Sequence, residues 1–378
     1  MTSTADPALA APAGGRIDEL LGRPVSMRSL ALLRILVGPI VLMHLRPLLA
    51  DAIDGRIYRD HFYEPYAAWY PELPRGAYVG LLWLGALAAA AMIVGVAARA
   101  AAITAATVVA YDLFLSTTHF HNNRAYLVIV LAALALTPCD RELSFDAWWR
   151  SRRRRPAPPT TSPGWPLWLL RFEAATVYGA SGLSKLLDAD WFSGTVTWHR
   201  LTRVRDQLEA SVLPGWAIDA LTDRPFHTFA AKLIIGTELF IAAGLWSRRT
   251  RYAAVWVAVC FHAAIQVSAR VEVFSYLAVA ALVIWAVPST RDRVLRIDPA
   301  APRHRLLATA VRTLDWLARF RLEHGPPGSP VTIVDREGSV TYGGRAVAFA
   351  ASRLPLTAWF ALPAVAADRL TRRRSPDP

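Results

Sequence analysis

Cysteine is scarce in this chain. Two occur in 378 residues, Cys139 and Cys260. They form no Cys-x-x-C pair and are expected at different depths, so neither a disulfide nor thiol redox chemistry is expected. A net charge of +13 comes with no basic domain carrying a nucleic-acid motif, which excludes nucleic acid as the expected partner. No apolar core of signal-peptide type precedes Leu30, so no cleaved signal is expected. His119 and His121 would diverge on a helix, and no metal site is expected from them. No internal repeat is apparent.

Apolar residues, in contrast, are abundant. The chain is 54% hydrophobic with a mean hydropathy of +0.29, more apolar than soluble domains of this size. A membrane-spanning helix needs about 20 mainly apolar residues. Segments of that kind run from Ser29 to Leu49, Tyr78 to Ala97, Ala100 to Thr118, Ala125 to Pro138, Trp165 to Leu186, Phe229 to Trp246, Tyr252 to Ser268 and Val273 to Val287. The expected fold is therefore an all-α polytopic membrane bundle of about eight transmembrane helices, with a short cytoplasmic α+β tail.

Basic residues set the expected orientation. Arg99, Arg141, Arg150, Arg152 to Arg155, Arg248, Arg249, Arg251, Arg291, Arg293 and Arg296 all fall in loops on one side of such a bundle. Both termini are then cytoplasmic in a multi-pass cell-membrane protein, and the Arg150 to Arg155 cluster would attract anionic headgroups of membrane lipid. The division expected along the chain is a disordered N-terminus over 1–26, the transmembrane domain over 27–290, an amphipathic cytoplasmic helix over 291–325 and a tail over 326–378. In the tail, Val331 to Val334 and Val340 to Tyr342 flank a polar turn and read as a hairpin followed by helices. The amphipathic helix is placed on Ala308 to Leu322, with Val311, Leu314, Trp316, Leu317 and Phe320 on its apolar side. The segment from Asp51 to Pro74 carries Tyr58, His61, Phe62, Tyr63, Tyr66, Trp69 and Tyr70. It reads either as a surface-lying interfacial segment or as a lid over a hydrophobic ligand.

Ionisable groups inside spans are costly and point to function. Here they are Arg34, His44, Asp112, Glu173, Lys185, Lys232, Glu238 and His262. Arg34 could pair with Asp112 or with Glu238. Asp112, Ser116 and His119 recur at helical spacing, as do Tyr178, Ser181 and Lys185, and His262 and Gln266. With Lys232, they gather polar groups from four helices in the outer half of the bundle, as expected of a pocket open to the outer leaflet. Lys185 ends a long apolar helix ahead of an acidic, aromatic exit, Asp188-Ala189-Asp190-Trp191. It is either a snorkelling anchor or a base kept neutral by burial.

Three stretches, in order, are similar to one family. Ser181-Gly182-Leu183-Ser184-Lys185-Leu186 with Asp190-Trp191 and Gly194 resembles a signature of the vitamin K-dependent γ-glutamyl carboxylases and of their bacterial relatives, the horizontally transferred transmembrane (HTTM) proteins. Asn122-Asn123-Arg124-Ala125-Tyr126-Leu127 with Ser144-Phe145-Asp146, and Phe261-His262 with Phe274-Ser275-Tyr276, resemble two further blocks of that family. The resemblance covers about Met27 to Pro288. It implies a chemistry in which a lysine deprotonates a reduced naphthoquinone, oxygen adds, the resulting strong base removes a proton from a carbon acid, and carbon dioxide traps the carbanion. Lys185 stands where that lysine would be. Asn122, Asn123, His119, His262 and Tyr276 are then expected around a reduced quinone of menaquinol or vitamin K hydroquinone type, and Trp191 and Gln266 at an unknown peptide or small-molecule substrate. The chain departs from the carboxylase pattern at Arg124, where that branch has histidine. It also has no counterpart of the large extracytoplasmic domain of the animal enzymes. The tail resembles the closing part of small thiol–disulfide-like domains without their redox cysteines. Two other readings stand beside the enzyme. One is a non-enzymatic membrane protein that assists maturation or export of a partner. The other is a quinone-binding redox partner.

Overall fold

In a computed structural model, the described residues are 15–56, 64–67, 69–156, 159–203, 205–210, 214–268, 271, 273–286 and 291–358. The expected N-terminal segment lies mostly outside them, as do Tyr58, His61, Phe62 and Tyr63. Every expected span falls on a helix. These are α1 (Arg28–Asp54), α2 (Arg75–Val94), α3 (Ala98–Leu115), α4 (Asn122–Leu136), α5 (Trp165–Leu187), α6 (Arg224–Gly244), α7 (Arg251–Ser268) and α8 (Phe274–Ala281), the last extended by a 3-10 turn over Leu282–Trp285. By length and composition, four of them (α1, α2, α3 and α6) are apolar enough to cross a membrane. Of the others, α4 and α8 are shorter, α5 carries Arg171, Glu173 and Lys185, and α7, as long as α3, is more polar, with Arg251, His262 and Gln266. Eight crossings are thus an expectation; a membrane protein with a helical bundle is what the helices establish.

Helical spacing of apolar residues builds the bundle core. On α1, Leu30, Leu33, Val37, Val41 and Leu45 recur every three or four residues and are buried, one stripe of a helix face. They meet Leu82, Ala88, Ala89 and Met92 of α2 and Ala102, Ala105 and Val109 of α3 in the same core. Small residues at such contacts let helix backbones approach where lipid gives no hydrophobic drive.

One end of the bundle is basic and strongly tied. Short strands Pro24–Ser26 and Thr161–Pro163 pair antiparallel there, joining the starts of α1 and α5. Arg34 is fully buried close by. It donates to the carbonyls of Cys139 at 3.1 Å, Leu143 at 2.6 Å and Met92. A guanidinium offers five donors in a fixed fork, and here they satisfy carbonyls left open where α2 and the turn after α4 end. The expected pairing of Arg34 with Asp112 or Glu238 is therefore replaced by carbonyl capping. Trp168 stacks on Trp246 at 5.9 Å, Trp246 meets Trp285 edge-on at 5.0 Å, and Arg171 lies 5.4 Å and 5.3 Å from Trp168 and Trp285. Amphipathic rings of this kind suit a membrane interface.

The tail is a separate small sheet rather than a surface helix followed by a hairpin. Strand β1 (Arg293–Ile297) leads into α9 (Pro302–Leu314) and β2 (Phe320–His324), then β3 (Thr332–Val334), β4 (Val340–Tyr342) and α10 (Gly343–Ala351). The order is β2-β1-β3-β4, with β1 and β2 parallel and the other pairs antiparallel. The expected hairpin is β3 and β4. The amphipathic helix expected over Ala308 to Leu322 instead stops at Leu314, and Phe320 enters β2. Asp315 ends the helix, its carboxylate accepting from the backbone N–H groups of Arg319 and Phe320 at 2.8 Å each. Val311, Phe320, Leu295 and Ile333 share the tail's core, so the apolar side of α9 faces the sheet.

Candidate functional site

The stretch from Ser181 to Gly194 organises the end of α5 opposite the basic face. Gly182 is where α6 comes closest. A Cβ there would stand 3.0 Å from Leu239 and 3.2 Å from the Glu238 side chain. That approach brings Glu238 to Lys185, whose Nζ lies 2.9 Å and 2.8 Å from the two carboxylate oxygens. Ser181 completes the clasp, donating to Glu238 at 3.1 Å and accepting from Lys185. The pair is largely sequestered, with 17% and 8% of the two side chains exposed. Asp188 then stops α5, its side chain accepting from Asp190 and Trp191 N–H at 2.9 Å and 3.0 Å. The Trp191 ring faces Lys185 at 5.1 Å. Gly194, at φ +82°, lies against the backbone of His227 at the start of α6, where a Cβ would stand 2.5 Å from the carbonyl. Each residue of the signature thus has a geometric task in joining α5 to α6.

A second polar pair lies deeper. Tyr178 sits two turns back from Lys185, about 10 Å along the helix, and its hydroxyl is 2.7 Å from His262 Nε2. His262 is 1% exposed and meets Phe274 edge-on at 5.5 Å; Phe274 in turn meets Tyr126 of α4 at 6.3 Å. Glu238 is within electrostatic reach of Tyr178, and Glu173 of Tyr126. Around these rings several buried polar atoms have no hydrogen-bond partner among the described residues: Asn123 Nδ2, Glu173 Oε1, His262 Nδ1, Gln266 Oε1 and Ser275 Oγ. Buried polar groups normally find partners, so these atoms bid for an occupant with its own donors and acceptors.

A third group gathers at the C-terminal end of α3. Asp112 accepts from Tyr78 at 2.9 Å, and its other oxygen is 3.5 Å from Arg124 Nη1. His119 Nδ1 is 3.7 Å from the same carboxylate. The expected helical face Asp112-Ser116-His119 does not exist, because α3 ends at Leu115 and Ser116 is extended. His119 returns to Asp112 through a 3-10 turn over Thr117–His119. Asn122 and Asn123, expected around the quinone, open α4, with His121 as its cap. In the adjacent segment, Tyr70 stacks on Tyr111 at 5.6 Å and Glu64 N–H donates to Ser116 at 3.0 Å. That part of the aromatic segment is fastened to α3.

The expected site residues divide accordingly. Lys185 and Trp191 come together, whereas His262 pairs with Tyr178, two turns back along α5. Asn123 and Gln266 contribute open polar atoms to the deeper region. Among the described residues, no hydrogen bond or ion pair links Lys185 to Asn122, Asn123 or His119. Tyr276 is 43% exposed and faces away from the bundle core, and Asn122 is exposed. Lys232 also leaves the expected pocket: it is exposed, over the Phe192 ring at 5.0 Å. Glu238 and Tyr178 are the partners that spacing alone could not assign to Lys185 and His262. The small residue three positions before Lys185 was the available signal that another helix comes close there.

Motif residues outside these groups also hold the fold. Ser144 caps the helix Phe145–Arg152 by accepting from Ala147 N–H at 3.0 Å, and Asp146 accepts from Ala97 N–H at 2.8 Å.

No curated protein and no solved structure matches the chain. The model of the HTTM domain matches residues 22–289, spanning all eight bundle helices and ending before the tail, and this family is related to the vitamin K-dependent carboxylase domain. The chain belongs to the HTTM domain family.

Proposed function

We propose that this protein is a carboxylase-like membrane enzyme, a quinol- and oxygen-linked catalyst of proton abstraction and carboxylation, with Lys185 as its base. The carrying observation is the sequestered Lys185–Glu238–Ser181 clasp, with the buried Tyr178–His262 pair two turns back along α5. An ammonium held by a carboxylate cannot accept a proton. A base at this position must therefore first give up a proton to its partner. Glu238, hydrogen-bonded to Nζ, is placed to take that proton and leave Lys185 as a free amine. Ser181 steadies both members of the pair.

The open polar atoms support a reduced quinone as the cofactor. Asn123 Nδ2 is a donor, Gln266 Oε1 an acceptor, and Ser275 Oγ and His262 Nδ1 serve as either. Tyr126, Phe274 and Phe261 offer ring faces and edges beside them. Such a lining suits a flat ring bearing oxygen at opposite edges. When bound, a reduced quinone supplies reducing equivalents to oxygen and so generates a base strong enough for a carbon acid. The chain's own part is to bind and orient the ring, exclude water and move protons at Nζ of Lys185.

The ion pair itself favours a second reading. A charged Lys185 pinned to Glu238 is also what a purely structural staple between α5 and α6 requires, in a non-enzymatic protein that assists maturation or export of a partner. The two readings separate in one assay. Detergent-purified protein is given chemically reduced menaquinone and oxygen, and quinone epoxide is sought by mass spectrometry, with Lys185→Ala as the control. Epoxide that disappears in the variant supports the enzyme. Folded protein that binds the quinone yet forms no epoxide sinks it and leaves the staple, or a quinone-binding redox partner.

A further inference from the structure

The junction of tail and bundle concentrates guanidinium groups. Arg293 opens β1, Arg319 immediately precedes β2, and Arg353 follows α10. The parallel register sets Arg293 beside Phe320, and hence next to Arg319. Arg319 is 5% exposed. Its Nη1 donates to the Arg353 carbonyl at 3.0 Å, and the hydroxyl of Tyr252, the second residue of α7, is within its electrostatic reach. The three arginines therefore gather where the sheet meets the basic end of the bundle. Arg251, beside Tyr252, lies over Trp285 at 5.7 Å, within the tryptophan cluster.

The acidic residues there do not balance this charge. Arg293 holds Asp335 at 2.7 Å and Asp292 at 3.7 Å. Asp292 is shared with Arg336. Asp315 is occupied by two backbone N–H groups. Among the described residues, neither Arg319 nor Arg353 forms an ion pair with a carboxylate. The Arg353 guanidinium lies over the Phe349 ring at 4.8 Å, and no described residue accepts a hydrogen bond from it. Burial, and behind it the neighbouring Arg293, holds both guanidinium groups below their ordinary value. Cations drawn from water without a counter-ion are costly, and a planar guanidinium fork matches the oxygens of phosphate.

We propose that Arg319, Arg353 and Tyr252, backed by Arg293, form a binding site for a phosphate-type anion at the junction of tail and bundle. Its placement beside the interfacial tryptophans suits the headgroup of an anionic phospholipid, and dissolved phosphate offers the same chemistry. Occupancy would fasten the tail to the membrane face.

The test uses the full chain in detergent. Retention of phosphatidylglycerol and of phosphatidylcholine is measured by native mass spectrometry, and protection by inorganic phosphate by thermal unfolding. Each is measured for wild type, Arg353→Gln and Arg336→Gln. The expected result is anion-selective binding weakened about tenfold by Arg353→Gln, the loss of one charge-assisted contact, and unchanged by Arg336→Gln. Selectivity for phosphatidylglycerol alone assigns the lipid. Equal protection by inorganic phosphate, also lost in Arg353→Gln, assigns a dissolved anion. If Arg353→Gln fails to fold, Arg353→Lys keeps the charge without the fork and should still bind more weakly than wild type. Equal binding by wild type and the folded Arg353 variant, or no preference for either anion over phosphatidylcholine, overturns the site.

Discussion

Lys185 and Glu238 form a two-pronged ion pair, with Nζ 2.8 Å and 2.9 Å from the carboxylate oxygens, across the closest approach of α5 and α6. Breaking a buried pair by removing one member strands the other charge, at a cost of about 3–5 kcal/mol. Glu238→Gln is therefore expected to lower the thermal unfolding midpoint clearly. The double variant Lys185→Met/Glu238→Gln should recover most of that loss. Equal midpoints for Glu238→Gln and wild type would mean the pair is not buried in solution.

Lysine chemistry offers a direct view of the same pair. The chain has only two lysines, Lys185 and Lys232. Lys232 is exposed, whereas Lys185 is clasped. Under limiting amine-reactive reagent, peptide mapping should find Lys232 modified first. Replacing Glu238 by Gln should speed modification of Lys185 several-fold and leave Lys232 as it was.

Tyr178→Phe removes the hydroxyl that meets His262 Nε2 at 2.7 Å. A buried ring nitrogen left without its partner costs about 1–3 kcal/mol. The unfolding midpoint should fall accordingly. In the enzyme reading, epoxide formation should fall further than loss of folded protein accounts for. A fall in activity matching only the loss of folded protein would remove His262 and Tyr178 from the chemistry.

Gly194→Ala places a methyl group 2.5 Å from the His227 backbone at a φ of +82°. A left-handed conformation costs a non-glycine residue about 1–2 kcal/mol, and backbone cannot give way as a side chain can. Destabilisation above about 2 kcal/mol is expected from the two effects together. A neutral substitution would show that the turn after Trp191 rearranges freely.

The tail carries its own pH response at Asp298. Its two oxygens accept from Gly328 and Ala300 N–H at 2.8 Å each, and these backbone hydrogen bonds hold the carboxyl below its ordinary value. A group with a lowered folded pKa stabilises above its unfolded value of about 4, and that contribution disappears as pH falls through the lowered value. Hydrogen exchange at Gly328 and Ala300 in the full chain should therefore stay protected at neutral pH and lose protection, after correction for intrinsic rates, only below pH about 4. Asp298→Asn should remove the pH dependence of that protection.

The sequence by itself determined where helices form and which family they make. Apolar runs at helical spacing, such as Leu30 to Leu45, can only be buried or lipid-facing, so every expected span falls on a helix. The Ser181 to Gly194 stretch, legible in the sequence, lies where α5 meets α6. Face membership within one helix was also legible: Tyr178, Ser181 and Lys185 do share a face, because 3.6 residues per turn fixes it. Where the helix stops, that rule stops too, which is why the Asp112-Ser116-His119 face failed at Leu115.

Only the tertiary structure decided the partners. Arg34, Asp112, Glu238 and Lys185 can satisfy Coulomb's law in several combinations. The choice depends on which helices approach at which depth, information carried by contacts far apart in the chain. Arg34 went to carbonyls, Asp112 to Tyr78 and Arg124, and Glu238 to Lys185. The tail shows the same limit. The apolar periodicity after Ala308 was equally consistent with a helix lying on lipid and with a helix followed by a strand. Asp315 ends the helix by accepting from backbone N–H groups at the start of β2, and the parallel pairing with β1, a contact distant in the chain, holds Phe320 in a strand.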